Sequence, residues 1–290
     1  MSPWTCLRRV KRRPSEPMRR LSLDHITVVD ARPSQLIETA AAVGCRGVCL
    51  FLHSMPVLAA MPVYDLTTNA VERRRTRAAM ASHGVTLDMV YPFTVTGRSA
   101  VAEFAPLLET AAELGGRRAN VLCYDREPAR RLDLLGRLGE QATAHGLALA
   151  LEFYPPSQVR TLDEAFDLIE ALGRDDTGVT LDLLHLARSG GLTGDLSRLA
   201  DPRILIAQIC DGPAEMALEQ REFEAGAERR LPGEGDLKPA IFVSALAPDL
   251  PMSIEAPRQS ALDAGLSILE RAEAAVAATR VILGEAIWLD

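Results

Sequence analysis

Four polar side chains stand at the ends of apolar runs in the second half of the chain. Glu152 closes LALALE, Asp182 closes GVTLD, Gln208 follows ILIA and Glu255 follows PMSI. A carboxylate at the end of a buried strand is costly unless an opposite charge or a metal ion compensates it. Three carboxylates and an amide oxygen are hard ligands, best suited to one Mn²⁺ or Mg²⁺ ion, with Co²⁺ or Zn²⁺ as alternatives. Such an ion keeps open positions for substrate oxygens. Chelated by a carbonyl and its neighbouring hydroxyl, it acidifies the carbon between them by stabilising the enediolate.

Other reactive groups cluster around these positions. His185 lies three residues after Asp182, and imidazole suits proton transfer near neutral pH; it suits orienting Asp182 equally well. His53 in FLHSMP and Tyr124 at the end of ANVLCY follow strand-like runs and are expected to contact substrate. Asp211, three residues past Gln208, is expected to bond a ligand or a substrate hydroxyl. His25 sits deeper in the first run, where it would touch the pocket floor. His83 and His145 precede glycines at helix ends, where a cation complements the helix dipole, and are read as structural.

The elements that must position these groups follow one rhythm. Strand-like runs cover 23–29, 47–52, 86–92, 119–124, 147–155, 178–186, 203–212 and 251–257. Helix patterns follow at 33–44, 71–84, 100–116, 128–146, 161–173, around 194–200, 236–246 and 260–283, with a long polar loop at 213–235. The runs are nearly continuously apolar, as expected of a parallel sheet covered on both faces. Regular βα alternation in one domain predicts a (β/α)8 TIM barrel, whose active site lies at the C-terminal ends of the strands. An open doubly wound sheet is the rival, but no glycine-rich phosphate loop follows the first run.

Composition narrows the function classes. The chain has 290 residues, a net charge of −7, 48% hydrophobic and only 4% aromatic residues. That balance speaks against broad nucleic-acid binding, which needs a concentrated basic surface. No stretch is long and apolar enough for a membrane span. Five cysteines at 6, 45, 49, 123 and 210 form no CxxC pair, which suits reduced thiols in a cytoplasmic enzyme. Residues 1–20 carry seven Arg or Lys and one Glu, and are expected to be a disordered basic tail before a domain over 21–290. Initiation near Met18 and an adaptor for acidic partners are the alternatives for this segment.

Five pieces taken in order carry a family resemblance: LEFYP, LDLLH, AQICD, RRLPGEGDL and SIEAP. Over about residues 22–285 the chain resembles the xylose isomerase-like barrel superfamily. This sugar phosphate isomerase/epimerase group also holds inosose dehydratases, hydroxypyruvate isomerases, ketose 3-epimerases and 3-dehydroshikimate dehydratases. The resemblance implies that Glu152, Asp182, Gln208 and Glu255 hold the metal, that Arg230 meets substrate oxygens and that His185 points into the pocket. Many members carry His at the third ligand position, so Gln208 departs from the commoner pattern, though hydroxypyruvate isomerases share an amide there.

The implied reaction is a 1,2-isomerisation or 3-epimerisation of a small polyhydroxylated carbonyl compound, with Glu152 and Glu255 as base and acid. Where a β-hydroxyl is present, the same enolate expels water, giving a dehydratase of an inosose or 3-dehydroshikimate-like ring with His185 moving the proton. A non-catalytic binding or partner subunit is the third reading. Endonuclease IV shares a related barrel, but its richer histidine cluster and basic groove are missing here. Relatives imply a homodimer or homotetramer.

Overall fold

The computed structural model describes residues 19–284, so the expected tail lies outside the described residues as far as Met18. Arg20, at the end of that segment, is tied to the barrel: its guanidinium donates to the buried Asp88 at 2.8 Å.

Eight parallel strands close on themselves in sequence order. They are β1 (Leu21–Asp24), β2 (Gly47–Phe51), β3 (Thr86–Val95), β4 (Arg118–Cys123), β5 (Ala148–Glu152), β6 (Thr177–Asp182), β7 (Ile204–Ile209) and β8 (Met252–Ile254). The helices are α1 (Pro33–Ala42), α2 (Ala70–His83), α3 (Ala105–Glu113), α4 (Pro128–Ala144), α5 (Leu162–Leu172), α6 (Leu183–Arg188), α7 (Arg221–Gly226), α8 (Pro239–Ala245), α9 (Gln259–Asp263) and α10 (Ile268–Ile282). The fold is a single-domain (β/α)8 TIM barrel, as the alternation predicts. Leu36, Ile37, Leu108, Leu135, Leu138 and Phe242 fill the layer between strands and helices. Inside the barrel Cys49, Met89, Ala150 and Ile206 form a small apolar plug below the site. The four described cysteines are buried and free, and no described helix is long and apolar enough to cross a membrane.

Departures from the expected boundaries have local causes. The first run ends at Asp24 because its carboxylate accepts from the Ile26 N–H at 3.2 Å and turns 25–28 into a 3₁₀ helix. Likewise Asp182 caps α6 by accepting from the His185 N–H at 2.9 Å, so LLHL is helix rather than strand. His185 thereby sits on the first turn above β6. The 260–283 pattern is broken into α9 and α10 by Gly265, whose φ of 81° ends the first helix. Ser267 and Glu270 then form a capping box for the second.

Candidate metal centre

The four expected ligands converge at the mouth of the barrel. Glu152 and Asp182 are the last residues of β5 and β6, Gln208 lies in β7 and Glu255 follows β8. Parallel register sets Asp182 level with Gln208 on the neighbouring strand. All four are buried. Charged and amide groups can hold such positions only if hydrogen bonds replace the lost water.

Side chains from the other half of the barrel supply those bonds. Asn120 on β4 donates to Glu152 Oε2 at 2.5 Å, while its own carbonyl accepts from Thr180 Oγ1 at 2.6 Å. Gln208 Nε2 donates to Tyr91 Oη at 3.0 Å, and the Tyr91 hydroxyl donates to Asp24 Oδ2 at 2.7 Å. This chain leaves Gln208 Oε1 as a buried acceptor with no donor. Ligand atoms of Glu152, Asp182 and His185 lie within 4.8 Å of one another. His185 Nε2 is 3.2 Å from Glu152 Oε1, and its ring packs at 4.8 Å from that of Tyr154. An unpartnered amide oxygen and buried carboxylates are donors of the kind a hard divalent cation takes.

The buried cation of the site is Arg229, not Arg230. Arg229 Nη1 donates to Asp182 Oδ2 at 2.6 Å and Nη2 to Glu255 Oε1 at 2.7 Å. Arg230 points outward, where its guanidinium meets Glu234 and Asp236 at the surface. The segment is extended: Asp211 and Arg230 exchange backbone hydrogen bonds of 2.9 and 3.0 Å, and side chains alternate along such a segment. Arg229 and Leu231 are both buried and Arg230 between them is exposed. Inward-facing Leu231 is thus the signal in the sequence that selects Arg229.

Four other expected contacts have different work. Asp211 is saturated by backbone: its carboxylate accepts from the N–H groups of Gly212, Gly233 and Leu237 at 2.8, 3.0 and 2.9 Å. It shapes the PGEG loop instead of facing substrate. A Cβ on Gly235 would stand 2.3 Å from the Gly212 carbonyl oxygen, so only glycine fits beneath that loop. His53 turns its Nδ1 to the Ser54 carbonyl at 3.0 Å and does not line the cavity. Tyr124 lines an outer vestibule of about 540 Å³ with Tyr154 and Arg258, and burial pushes its hydroxyl up to about 12. His25, expected on the pocket floor, is enclosed and bonded to the Ala31 carbonyl at 2.9 Å.

The inner cavity, about 250 Å³, joins unlike surfaces. Asp24, Asn120, Glu152, His185, Arg229 and Glu255 make its polar floor. Ile26, Phe51, Met55, Phe93 and Leu122 make an apolar wall. Asp24 belongs to the site although no strand-end rule singled it out, since it lies before a turn. Tyr91, towards the end of the third strand-like run, lines the cavity as well.

Burial dominates the electrostatics. It raises Asp24 to about 7, against the opposing hydrogen bond from Tyr91. It also pushes Glu255 well above the usual carboxylate range, although Arg229 pulls the other way. Asp182 is equally buried, yet Arg229, His185 and the His185 N–H together hold it below its ordinary value. Arg229 stays charged, because Asp182 and Glu255 outweigh its own desolvation.

The Asp24 shift sets a pH dependence for the metal-free protein. Below about pH 3.8 the carboxyl is protonated in both folded and unfolded chains. Between that pH and about 7 only the unfolded chain ionises, so its contribution to stability is lost as pH rises through this window. Asp24→Asn removes the loss. Urea titrations at pH 4.5 and 7.5 should show the variant gaining on wild type by a few kcal/mol with rising pH. A constant difference would mean that Asp24 is ionised in the folded barrel.

Residues 37–281 match the xylose isomerase-like TIM barrel family, and the chain belongs to it. Inosose isomerase from Bacillus velezensis is 28% identical over 163 residues, covering 51% of this chain and 55% of that protein. The 3-dehydroshikimate dehydratase of Pseudomonas aeruginosa is 30% identical over 119 residues, covering 41% of this chain and 18% of that protein. The matched region thus spans about half the length of the inosose isomerase, and less of the dehydratase. Among solved structures, the IOLI protein with a bound zinc atom superposes with a TM-score of 0.70 at 18% identity, covering 91% of this chain and 98% of that one.

Proposed function

We propose that this xylose isomerase-like barrel is a divalent-metal-dependent isomerase or epimerase of a small polyhydroxylated carbonyl compound. The observation that carries the reading is the unpartnered Gln208 Oε1 among the buried carboxylates of Glu152, Asp182 and Glu255. These four residues would hold the ion, with Mn²⁺ or Mg²⁺ favoured by the all-oxygen set. When bound, the ion supplies Lewis acidity to a substrate carbonyl and adjacent hydroxyl.

The chain's own residues supply the rest. Asn120 fixes one oxygen of Glu152 and leaves the other, beside His185, to accept the proton from carbon. Glu255 approaches from β8, three strands round the barrel from β5, and returns a proton from a different side. The apolar wall keeps water from the intermediate.

A dehydratase is the second reading, and the match to a 3-dehydroshikimate dehydratase favours it. Phe51 and Tyr91 stack 4.7 Å apart on the cavity wall. Such a surface suits the C–H face of a carbocycle, whether it is isomerised, as in the name of the inosose isomerase, or dehydrated. His185 would then assist the leaving hydroxyl.

The test is elemental analysis of purified wild type beside Asp182→Asn and Glu255→Gln, followed by isomerase and dehydratase assays on carbonyl polyols. Near-stoichiometric divalent metal, lost in both variants, is expected. Wild type that takes up none even after incubation with Mn²⁺ would make the barrel a binding or partner subunit instead.

A further inference from the structure

We infer that Arg229 is a built-in stand-in for the divalent cation: its guanidinium holds Asp182 and Glu255 while the ion is absent and competes with the ion for them. The inference rests on the metal-dependent reading above, but it concerns a residue to which that reading gives no role.

The guanidinium takes up oxygens from two of the four expected ligands, at 2.6 and 2.7 Å, and is almost wholly enclosed. Its remaining bonds hold it there. Nε donates to the Ala225 carbonyl at 2.9 Å and Nη1 also to the Glu255 carbonyl at 3.3 Å. The backbone N–H of Arg229 donates to the Pro257 carbonyl at 2.7 Å, pinning the residue beside the segment that carries Glu255. A planar fork that reaches both carboxylates at once suits this geometry, where the single ammonium of lysine would not.

Charge makes the two cations rivals. Without Arg229, Asp182 and Glu255 would lie buried in the metal-free protein with no counter-charge, a strongly destabilising arrangement. With it, an incoming ion meets a fixed positive charge bonded to two of its expected ligand residues, in surroundings where water screens little. Arg229 therefore lowers affinity for the ion and keeps the empty site folded. Metal exchange becomes a swap of partners rather than a local unfolding.

Metal-stripped full-length protein and its Arg229→Met variant should be titrated with Mn²⁺ against a chelating fluorophore, with melting curves recorded with and without the ion. Arg229→Met is expected to bind Mn²⁺ at least tenfold more tightly than wild type and to gain more melting temperature on binding, since a ligand stabilises in proportion to its affinity. Equal or weaker binding by the variant would overturn the inference, because Arg229 would then be organising the ligands for the ion. If the variant folds only with Mn²⁺ present, the stand-in role is supported directly. Should it fail to fold under any condition, wild type decides: stripping the ion must leave one cooperative melt within a few degrees of the loaded protein, and loss of that melt overturns the inference. If wild type binds no Mn²⁺, the metal-dependent reading itself fails and this inference with it, whatever the variant does, whereas binding that the substitution does not tighten fails the inference alone.

Discussion

Glu152→Gln should lower turnover of a carbonyl polyol substrate by about 10²–10⁴-fold, the span general acid–base groups usually contribute. The substitution is nearly isosteric. The new amide can offer its oxygen to Asn120 and its nitrogen to His185, whose present partners are the two oxygens of Glu152. With Mn²⁺ held at saturation, because Glu152 is also an expected ligand of the ion, the barrel mouth should keep its shape while losing a group that can accept a proton from carbon. The effect belongs in kcat more than in KM, since the interaction lost is made as the proton moves. Exchange of the substrate's α-proton with D₂O, followed by NMR, reads this step directly and should fall with turnover. Turnover within tenfold of wild type would place the base elsewhere, with His185 the next candidate.

Glu224→Ala should produce a large loss of stability. Glu224 on α7 receives Arg188 Nε at 2.8 Å and Nη2 at 2.5 Å, and both side chains are almost completely enclosed. The same guanidinium also donates to the carbonyls of Pro213 and Ala214 at 2.9 and 3.2 Å. One ion pair thus fastens both ends of the excursion after β7 to α6. Removing Glu224 leaves a buried guanidinium without its counter-charge, which costs roughly 3–5 kcal/mol. In a domain of this size that lowers the melting temperature by roughly 6–20 °C. Because α7 carries Ala225 and Gly226 to the cavity and leads into Arg229, KM should rise as well. Glu224→Gln, whose single amide oxygen can keep one of the two hydrogen bonds, should recover part of the loss. Calorimetry of the three proteins checks this; a change below about 1 kcal/mol would mean that water reaches Arg188.

The sequence made the barrel legible, and the strand-end placement of the expected ligands with it, because both are written in strong local patterns. Continuous apolar runs mark strands buried on both faces, and a lone carboxylate at the end of such a run has few structural uses. What stayed hidden depends on contacts between distant segments. Asp24 and Tyr91 matter through a hydrogen-bond chain that spans β1, β3 and β7, and no spacing along the chain reports it. The 213–235 segment reads as a polar loop, and α7 forms there with Glu224 seated on Arg188 from an earlier helix. The choice between Arg229 and Arg230 turns on a single step of alternation. Asp211 shows the opposite failure: an acidic residue near the ligands looks functional, yet backbone N–H groups use up its oxygens.

The two halves of the ring bear on how such an enzyme can diversify. Every expected ligand comes from β5 to β8, whereas Phe51, Met55, Phe93 and Leu122 on the apolar wall come from β2 to β4 and their loops. Mutations that reshape the wall need not touch a residue expected to bind metal or move a proton. Substrate preference can therefore drift along a lineage by changes in the front half of the gene, while the chemistry is inherited through the back half.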